Sequence, residues 1–232
     1  MFDFTAEEID AIQLSLWVAT IGMAASLPFG VLAAYALARW RFPGKLLLDG
    51  LVHLPLVLPP VVTGYILLVL MGRRGPIGSF LDQYFGIVFS FRWTGAALAA
   101  AVMGFPLLVR AIRLSFEATD RRLEDASRTL GANRAVVFAT VTLPLALPGI
   151  LAGMVLCWAK ALGEFGATIT FVSNIPGETR TLPAAIYTFT QVPGGDSGAM
   201  RLAIVAVALS LVALIISEIL SRQIAWRVGG TA

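Results

Sequence analysis

Long apolar stretches dominate this chain and decide which solvent it can fold in. A helix that crosses a bilayer needs about 20 mostly apolar residues, because it must satisfy its own backbone hydrogen bonds in lipid. Five stretches approach or exceed that length, at 12–37, 51–71, 93–109, 143–172 and 202–220. The sequence therefore predicts an all-α integral membrane protein with five transmembrane helices. Pro144 and Pro148 are expected to trim the start of the fourth.

Composition supports this solvent and excludes several classes of protein. Apolar residues make up 58% of the chain and charged residues 13%, against about 45–50% and about 25% in soluble domains. Cys157 and His53 are the single residues of their types, so an internal disulfide and bis-histidine haem ligation are impossible. No soluble domain, repeat or nucleic-acid-binding patch is visible, and 1–232 is predicted to be one transmembrane domain.

The distribution of Lys and Arg predicts which end faces the cytoplasm. With the N-terminus outside, the inner loops hold eleven basic residues and the outer loops five. The inner set is Arg39, Arg41, Lys45, Arg110, Arg113, Arg121, Arg122, Arg128, Arg134, Arg222 and Arg227, and the outer set is Arg73, Arg74, Arg92, Arg180 and Arg201. The positive-inside rule therefore predicts an external N-terminus and a cytoplasmic C-terminus.

The inner connection, 117–142, has the pattern of a helix, a turn and a second helix. Asp120 can cap the first helix, Gly131 can end it, and Asn133 can cap the second, which is expected to continue to Val141. Leu123, Ala126 and Leu130 form a narrow apolar stripe, too small to build a core. Docking into a groove on another protein, lying on the inner leaflet, and a merely solvated loop remain open as interpretations.

The fourth stretch carries an intramembrane charge pair. Lys160 and Glu164 are four residues apart, so they are expected to meet on one helix face, while Gly163 and Gly166 allow close helix packing. Two roles are open: a structural ion pair, or a translocation path on which Lys160 offers charge to a passing anion and Glu164 holds it in place.

The second stretch contains three prolines that interrupt its backbone hydrogen bonds. Pro55, Pro59 and Pro60 predict a kink or an unwound turn, which serves either as a gate or as a packing bend. Thr63 follows this break and is expected to satisfy a freed carbonyl or to line the pore.

The inner connection resembles the coupling loop of bacterial ABC importer permeases. That family has Glu-Ala-Ala, three residues, Gly, nine residues, Ile, one residue and Leu-Pro. This chain has Asp125-Ala126-Ser127, Gly131, Val141 and Leu143-Pro144 at the same spacing. The resemblance implies that the loop, with Glu124 sharing the acidic role and Leu130 in the helix, inserts into a separate ATPase subunit.

The block LGEFGAT, which ends at Thr168, and the following FVSNIPGETRTLP are similar to the molybdate and sulfate branch of these permeases, and most closely to molybdate permease subunits. The resemblance implies a bacterial inner-membrane location and, as partners, a second permease copy, two cytoplasmic ABC ATPase subunits and a periplasmic molybdate-binding protein. That protein is expected to meet the outer connection, 173–201, in which a short helix is predicted at 181–190.

The chain itself is expected to bind no cofactor, with ATP held by the partner. A phosphate-binding loop needs Ser or Thr after Gly-Lys, and Gly44-Lys45 is followed by Leu46. The predicted role is therefore that of a non-catalytic permease subunit for molybdate. Sulfate and tungstate are the alternative substrates. A secondary anion transporter is the alternative class, although many such folds have paired halves, which this short chain lacks.

Overall fold

A computed structural model describes the backbone of residues 4–229 and the side chains as far as residue 219, and it contains helices and no strand in that part of the chain. One π turn, Phe138–Thr142, interrupts the α-helical elements. The α-helices are α1 Ala6–Arg39, α2 Lys45–Val57, α3 Pro60–Met71, α4 Pro76–Phe85, α5 Trp93–Ala118, α6 Arg121–Thr129, α7 Arg134–Val137, α8 Leu143–Leu162, α9 Gly166–Val172, α10 Leu182–Thr190 and α11 Asp196–Gly229.

Four of these helical stretches are long and apolar enough to cross a membrane, and they include α1, α5, α8 with its preceding turns, and α11. The bent pair α2 and α3 gives a fifth crossing if it counts as one span. The all-α membrane fold is therefore confirmed. The break predicted from the prolines is present, with Pro59 between the two helices and a bend of 115°.

Helix α5 is the central element of the bundle. It is the most buried of the four long spans and contributes to both apolar clusters of the core. One cluster joins it to α1, α3, α9, α10, α11 and the end of α8, and the other joins it to α1, α2 and α8. Small side chains such as Ala96, Ala99 and Ala100 are fully buried there, which lets neighbouring helices approach closely.

Several predicted boundaries of the spans were wrong. The third span is a helix of 26 residues rather than 17, because it continues past residue 109 into its charged end. The fourth begins as an α-helix at Leu143, as predicted, but α7 and the π turn lead into it from Arg134 without a break, and Pro148 lies inside the helix instead of trimming its start. The second loop helix, predicted to reach Val141, is a regular α-helix only as far as Val137. The fourth span ends at Leu162, and α9 follows as a separate helix.

The predicted outer end of the bundle is closed by a buried ion pair. Thr5 and Glu8 form a capping box at the start of α1, and Glu8 is fully buried. The Arg201 guanidinium donates to Glu8 over 2.6 Å and so ties α11 to α1. The short helix predicted after residue 180 is confirmed as α10, but the last part of the outer connection belongs to α11, which starts at Asp196.

Candidate functional site

The loop at 117–142 has the helix, turn and helix predicted from its local signals. The Asp120 carboxylate accepts the backbone N–H of Arg122 at the start of α6, and the Asn133 side chain accepts that of Val136 at the start of α7. Gly131 has φ +89°, a left-handed conformation that L side chains rarely adopt. Three local features, the two helix caps and the left-handed glycine, therefore set the shape of the loop.

Helix α6 presents two different faces. Its apolar stripe is uncovered, since Leu123 is 49% and Leu130 89% exposed and Ala126 is exposed as well. The Asp125 side chain is 70% exposed and lies 3.6 Å from Arg128. Glu124 points the other way and is the buried residue of the helix. The two acidic residues predicted to share one role therefore occupy opposite environments.

Glu124 is held by a residue that the sequence analysis did not single out. The Arg39 guanidinium, at the end of α1, lies 2.9 Å from the Glu124 carboxylate, and their side chains are 7% and 8% exposed. The Thr142 hydroxyl donates to the same carboxylate over 3.2 Å. No local pattern links positions 39 and 124, and the excess of basic residues on the inner loops was the only signal present.

The remaining motif residues lie between the loop and the fourth span. Ser127 is half-buried and donates to the Leu123 carbonyl within α6. Leu143 packs against the apolar cluster formed by α1, α2, α5 and α8. Pro144 is exposed and follows the π turn. Because its ring would crowd the carbonyl of residue 140 in a regular α-helix, the wider turn accommodates the Leu-Pro pair.

The two broken helices pack against each other, and we call their contact the broken-span junction: residues 59–64 with residues 160–168. Gly64 is buried, and a Cβ there would lie 2.5 Å from the Ala167 carbonyl oxygen. A Cβ at Gly166 would lie 2.7 Å from the Cβ of Pro60. Irregular backbone at membrane depth is tolerated where protein or a water-filled cavity covers it. At the broken-span junction, protein covers the irregular backbone of both spans.

Lys160 and Glu164 form the predicted ion pair, but not on one helix face. Their side-chain atoms are 2.6 Å apart, and Glu164 lies beyond the end of α8, after Gly163 at its C-cap. The Glu164 carboxylate also accepts the backbone N–H of Ala167 over 2.9 Å. Glu164 therefore holds the start of α9 and the ammonium group together.

The polar groups of the junction differ in exposure. The Lys160 side chain is 31% exposed, whereas that of Glu164 is 1% exposed. Thr168 is buried and its hydroxyl donates to the Phe165 carbonyl. Thr63 is buried and its hydroxyl has no hydrogen-bond partner among the described residues, so it satisfies no freed carbonyl there. Lys160 is the charged group that an anion at this junction can reach.

Metal-ligand clusters are absent from the described part of the chain: no group of three His, Cys, Asp or Glu side chains comes together there. The chemistry of the two sites is that of charge and docking. The loop offers an apolar stripe with exposed charges, and the junction offers an ammonium group beside a fixed carboxylate.

Comparisons with known proteins place the chain in a family. The family model described as "Binding-protein-dependent transport system inner membrane component" matches residues 26–226. The molybdenum transport system permease protein ModB of Escherichia coli (strain K12) is 62% identical, covering 94% of this chain and 95% of that protein. ModB of Haemophilus influenzae is 57% identical, over 96% and 97%. The sulfate transport system permease protein CysW of Synechococcus elongatus is 37% identical, over 92% and 74%.

Solved structures show the same fold at lower identity. A bacterial alginate ABC transporter in complex with its alginate-bound periplasmic protein matches with a TM-score of 0.68 and 16% identity, over 97% of this chain and 80% of that one. An amino acid ABC transporter matches with a TM-score of 0.60 and 21% identity, over 94% of each chain. The chain therefore belongs to the binding-protein-dependent transport system inner membrane components, as a multi-pass permease subunit of the bacterial inner membrane.

Proposed function

We propose that this chain is the permease subunit of an ATP-driven importer that moves molybdate into the cytoplasm. It pairs with a second copy of itself, with two cytoplasmic ATPase subunits and with a periplasmic molybdate-binding protein. Molybdate is proposed as the substrate because the chain is 62% identical to a molybdenum transport permease over nearly its whole length. Sulfate permease relatives match at 37%, which makes sulfate the second candidate.

Helix α6 is the proposed contact with the ATPase. Its exposed stripe, Leu123, Ala126 and Leu130, needs an apolar groove, and Asp125 and Arg128 beside it supply charges for orientation. A helix with a few apolar anchors that lies in a groove is a common recognition mode. The uncovered stripe on a helix whose other side is fixed supports docking over a merely solvated loop.

Coupling follows from differential binding. ATP holds two ATPase subunits together, and this favours one arrangement of the docked α6 helices and hence one facing of the pore. A shift of such an equilibrium from 1:99 to 99:1 takes about 5.5 kcal/mol. The helices must therefore be held firmly on both sides, by the ATPase groove and by the permease.

The broken-span junction is the proposed wall of the pathway, between the two copies. Molybdate is a dianion, and Lys160 offers it a positive charge that is 31% exposed. Glu164 fixes the ammonium position through the ion pair and caps α9. Binding at this point is expected to be weak, because a tight site inside a pathway would slow release.

Uptake by a reconstituted complex tests the proposal. The permease, the ATPase and the binding protein are placed in vesicles with labelled molybdate, with and without ATP, and with unlabelled tungstate or sulfate as competitors. We expect uptake that requires both ATP and the binding protein. Unlabelled sulfate should inhibit this uptake less than tungstate does. Stronger inhibition by sulfate than by tungstate would identify sulfate as the substrate. Uptake driven by an ion gradient without ATP would identify a secondary transporter.

A further inference from the structure

The inward side of α6 is held by a carboxylate instead of an apolar side chain. Glu124 is the buried residue of that helix, and its carboxylate contacts Arg39 at 2.9 Å and the Thr142 hydroxyl at 3.2 Å. Buried ion pairs add little net stability compared with apolar packing, because desolvation offsets the attraction. Their charged hydrogen bonds are directional, which makes them suited to fixing one arrangement of two elements.

Arg39 joins elements that are far apart in the chain. It is the last residue of α1, and besides Glu124 it donates to the backbone carbonyl of Thr119, just after α5, over 3.1 Å. The chain itself connects α6 to α5 before it and to α7 after it. The Arg39–Glu124 pair adds α1, which is remote in sequence, to this set.

Arg39 also has a hydrogen-bond donor that these contacts do not use. The Nε of Arg39 is buried without a hydrogen-bond partner among the described residues. A guanidinium with an unused donor can keep one contact while it exchanges another. Transmission between distant sites requires an element with two discrete arrangements.

We propose that Arg39 and Glu124 are positioning residues that carry the movement of α6 to the cytoplasmic ends of α1 and α5. The inference rests on the proposed function, because it concerns the coupling of an ATPase to this permease. It extends that function by separating two roles within the loop. Leu123 and Leu130 meet the ATPase, and Glu124 faces inward and passes the displacement to the spans.

The test measures molybdate taken up per ATP hydrolysed by vesicles that contain the complete complex. Glu124→Gln keeps the shape and removes the charge. Arg39→Lys keeps the charge but replaces the planar guanidinium, whose Nη2 contacts both Glu124 and the Thr119 carbonyl, by a compact ammonium group on a differently shaped side chain. We expect each to lower the ratio by about threefold to thirtyfold, the range for residues that carry coupling. Arg41→Gln, an exposed arginine two positions away, is the matched control and leaves the ratio unchanged.

A double variant separates positioning from stability. Arg39→Met with Glu124→Met replaces the buried pair by apolar side chains, which is often neutral for folding. We expect this complex to assemble as the wild type does and still to show the lowered ratio. A purely structural role would reduce the amount of complex and leave the ratio intact.

The inference is overturned if Glu124→Gln and Arg39→Lys couple as well as Arg41→Gln does, or if all the pair variants fail to assemble while the control assembles. Its failure is distinct from that of the proposed function. Absent ATP-driven uptake in the wild type contradicts the function, whereas normal wild-type uptake with unchanged ratios in the variants contradicts only the role of the pair.

Discussion

Two buried carboxylates each hold a short helix in place, but their basic partners lie at very different separations along the chain. Glu164 pairs with Lys160, four residues earlier, and caps α9, the helix that follows it. Glu124 pairs with Arg39, at the end of another span, and accepts the hydroxyl of Thr142. The first contact organises one stretch of chain. The second joins parts of the fold that the sequence separates.

The difference shows which site is suited to carry movement and which to hold a charge still. A local pair moves with its own segment, so the Lys160 ammonium keeps its position relative to the broken-span junction. A long-range pair changes only when two elements move relative to each other, which is what coupling demands. Substitutions at the two sites and in their surroundings test this contrast.

Adding a methyl group at the broken-span junction should have the largest effect. Gly64→Ala places a Cβ 2.5 Å from the Ala167 carbonyl oxygen, so α3 and α9 must separate. We expect the free energy of unfolding to fall by about 1–3 kcal/mol, as for other overpacked sites. Thermal unfolding of the purified complex measures this. Gly50→Ala, where the added Cβ meets nothing within 4 Å, is the control. Equal stability of the two variants would show that the helices are not in tight contact.

Removal of the apolar anchor of α6 should weaken the ATPase contact. Leu130 is 89% exposed, and Leu130→Ser is expected to lower the affinity for the ATPase by about tenfold, or ~1.4 kcal/mol, because the apolar contact is lost. Titration of the permease with purified ATPase measures this. Leu46→Ser changes a leucine that is 84% exposed on α2 and should leave the affinity unchanged. Unchanged binding by Leu130→Ser would return α6 to the class of solvated loops.

Neutralising the charge at the junction should slow transport without removing the complex. Lys160→Met is expected to reduce molybdate uptake per assembled complex by about fivefold to tenfold, because the dianion loses its attraction to the ammonium group. Lys160→Arg keeps the charge and should remain close to the wild type. If Lys160→Met transports at the normal rate, the pair with Glu164 is only structural.

An exposed carboxylate near the end of α5 should matter least. Glu117 is 42% exposed and pairs with Arg113 over 2.8 Å, and Arg113 also contacts Asp49. Glu117→Gln should change the free energy of unfolding by less than about 1 kcal/mol, since solvent and salt screen such pairs. Thermal unfolding and the uptake ratio should both match the wild type. A large loss of coupling would show that the Arg113–Glu117 pair takes part in coupling, as is proposed for Arg39 and Glu124.

Local signals predicted the loop well. The caps at Asp120 and Asn133 and the turn at Gly131 each depend on interactions within a few residues, and all three are present. The break at Pro59 was predicted for the same reason, because a missing backbone donor acts where it stands. Its bend of 115° was not, since neighbouring helices set the angle.

Contacts between distant residues could not be predicted in this way. The i, i+4 spacing gave the Lys160–Glu164 pair, yet Gly163 ends the helix between them. Apolar runs also placed the end of the fourth span at residue 172, because hydropathy does not register the break between α8 and α9. The pairing of Glu124 with Arg39 and the packing of Gly64 against Ala167 depend on how whole helices assemble, and no periodic pattern encodes that assembly.

Cysteine labelling determines whether the loop around Gly131 faces the cytoplasm and is occupied by an ATPase. Thr129→Cys creates an exposed thiol beside the turn, Gln191→Cys creates one on the outer connection, and the native Cys157 is buried. A membrane-impermeant reagent should modify Thr129→Cys in inside-out vesicles only, and bound ATPase should protect it, whereas Gln191→Cys should react in right-side-out vesicles. Labelling of Thr129→Cys from the outside would contradict the account.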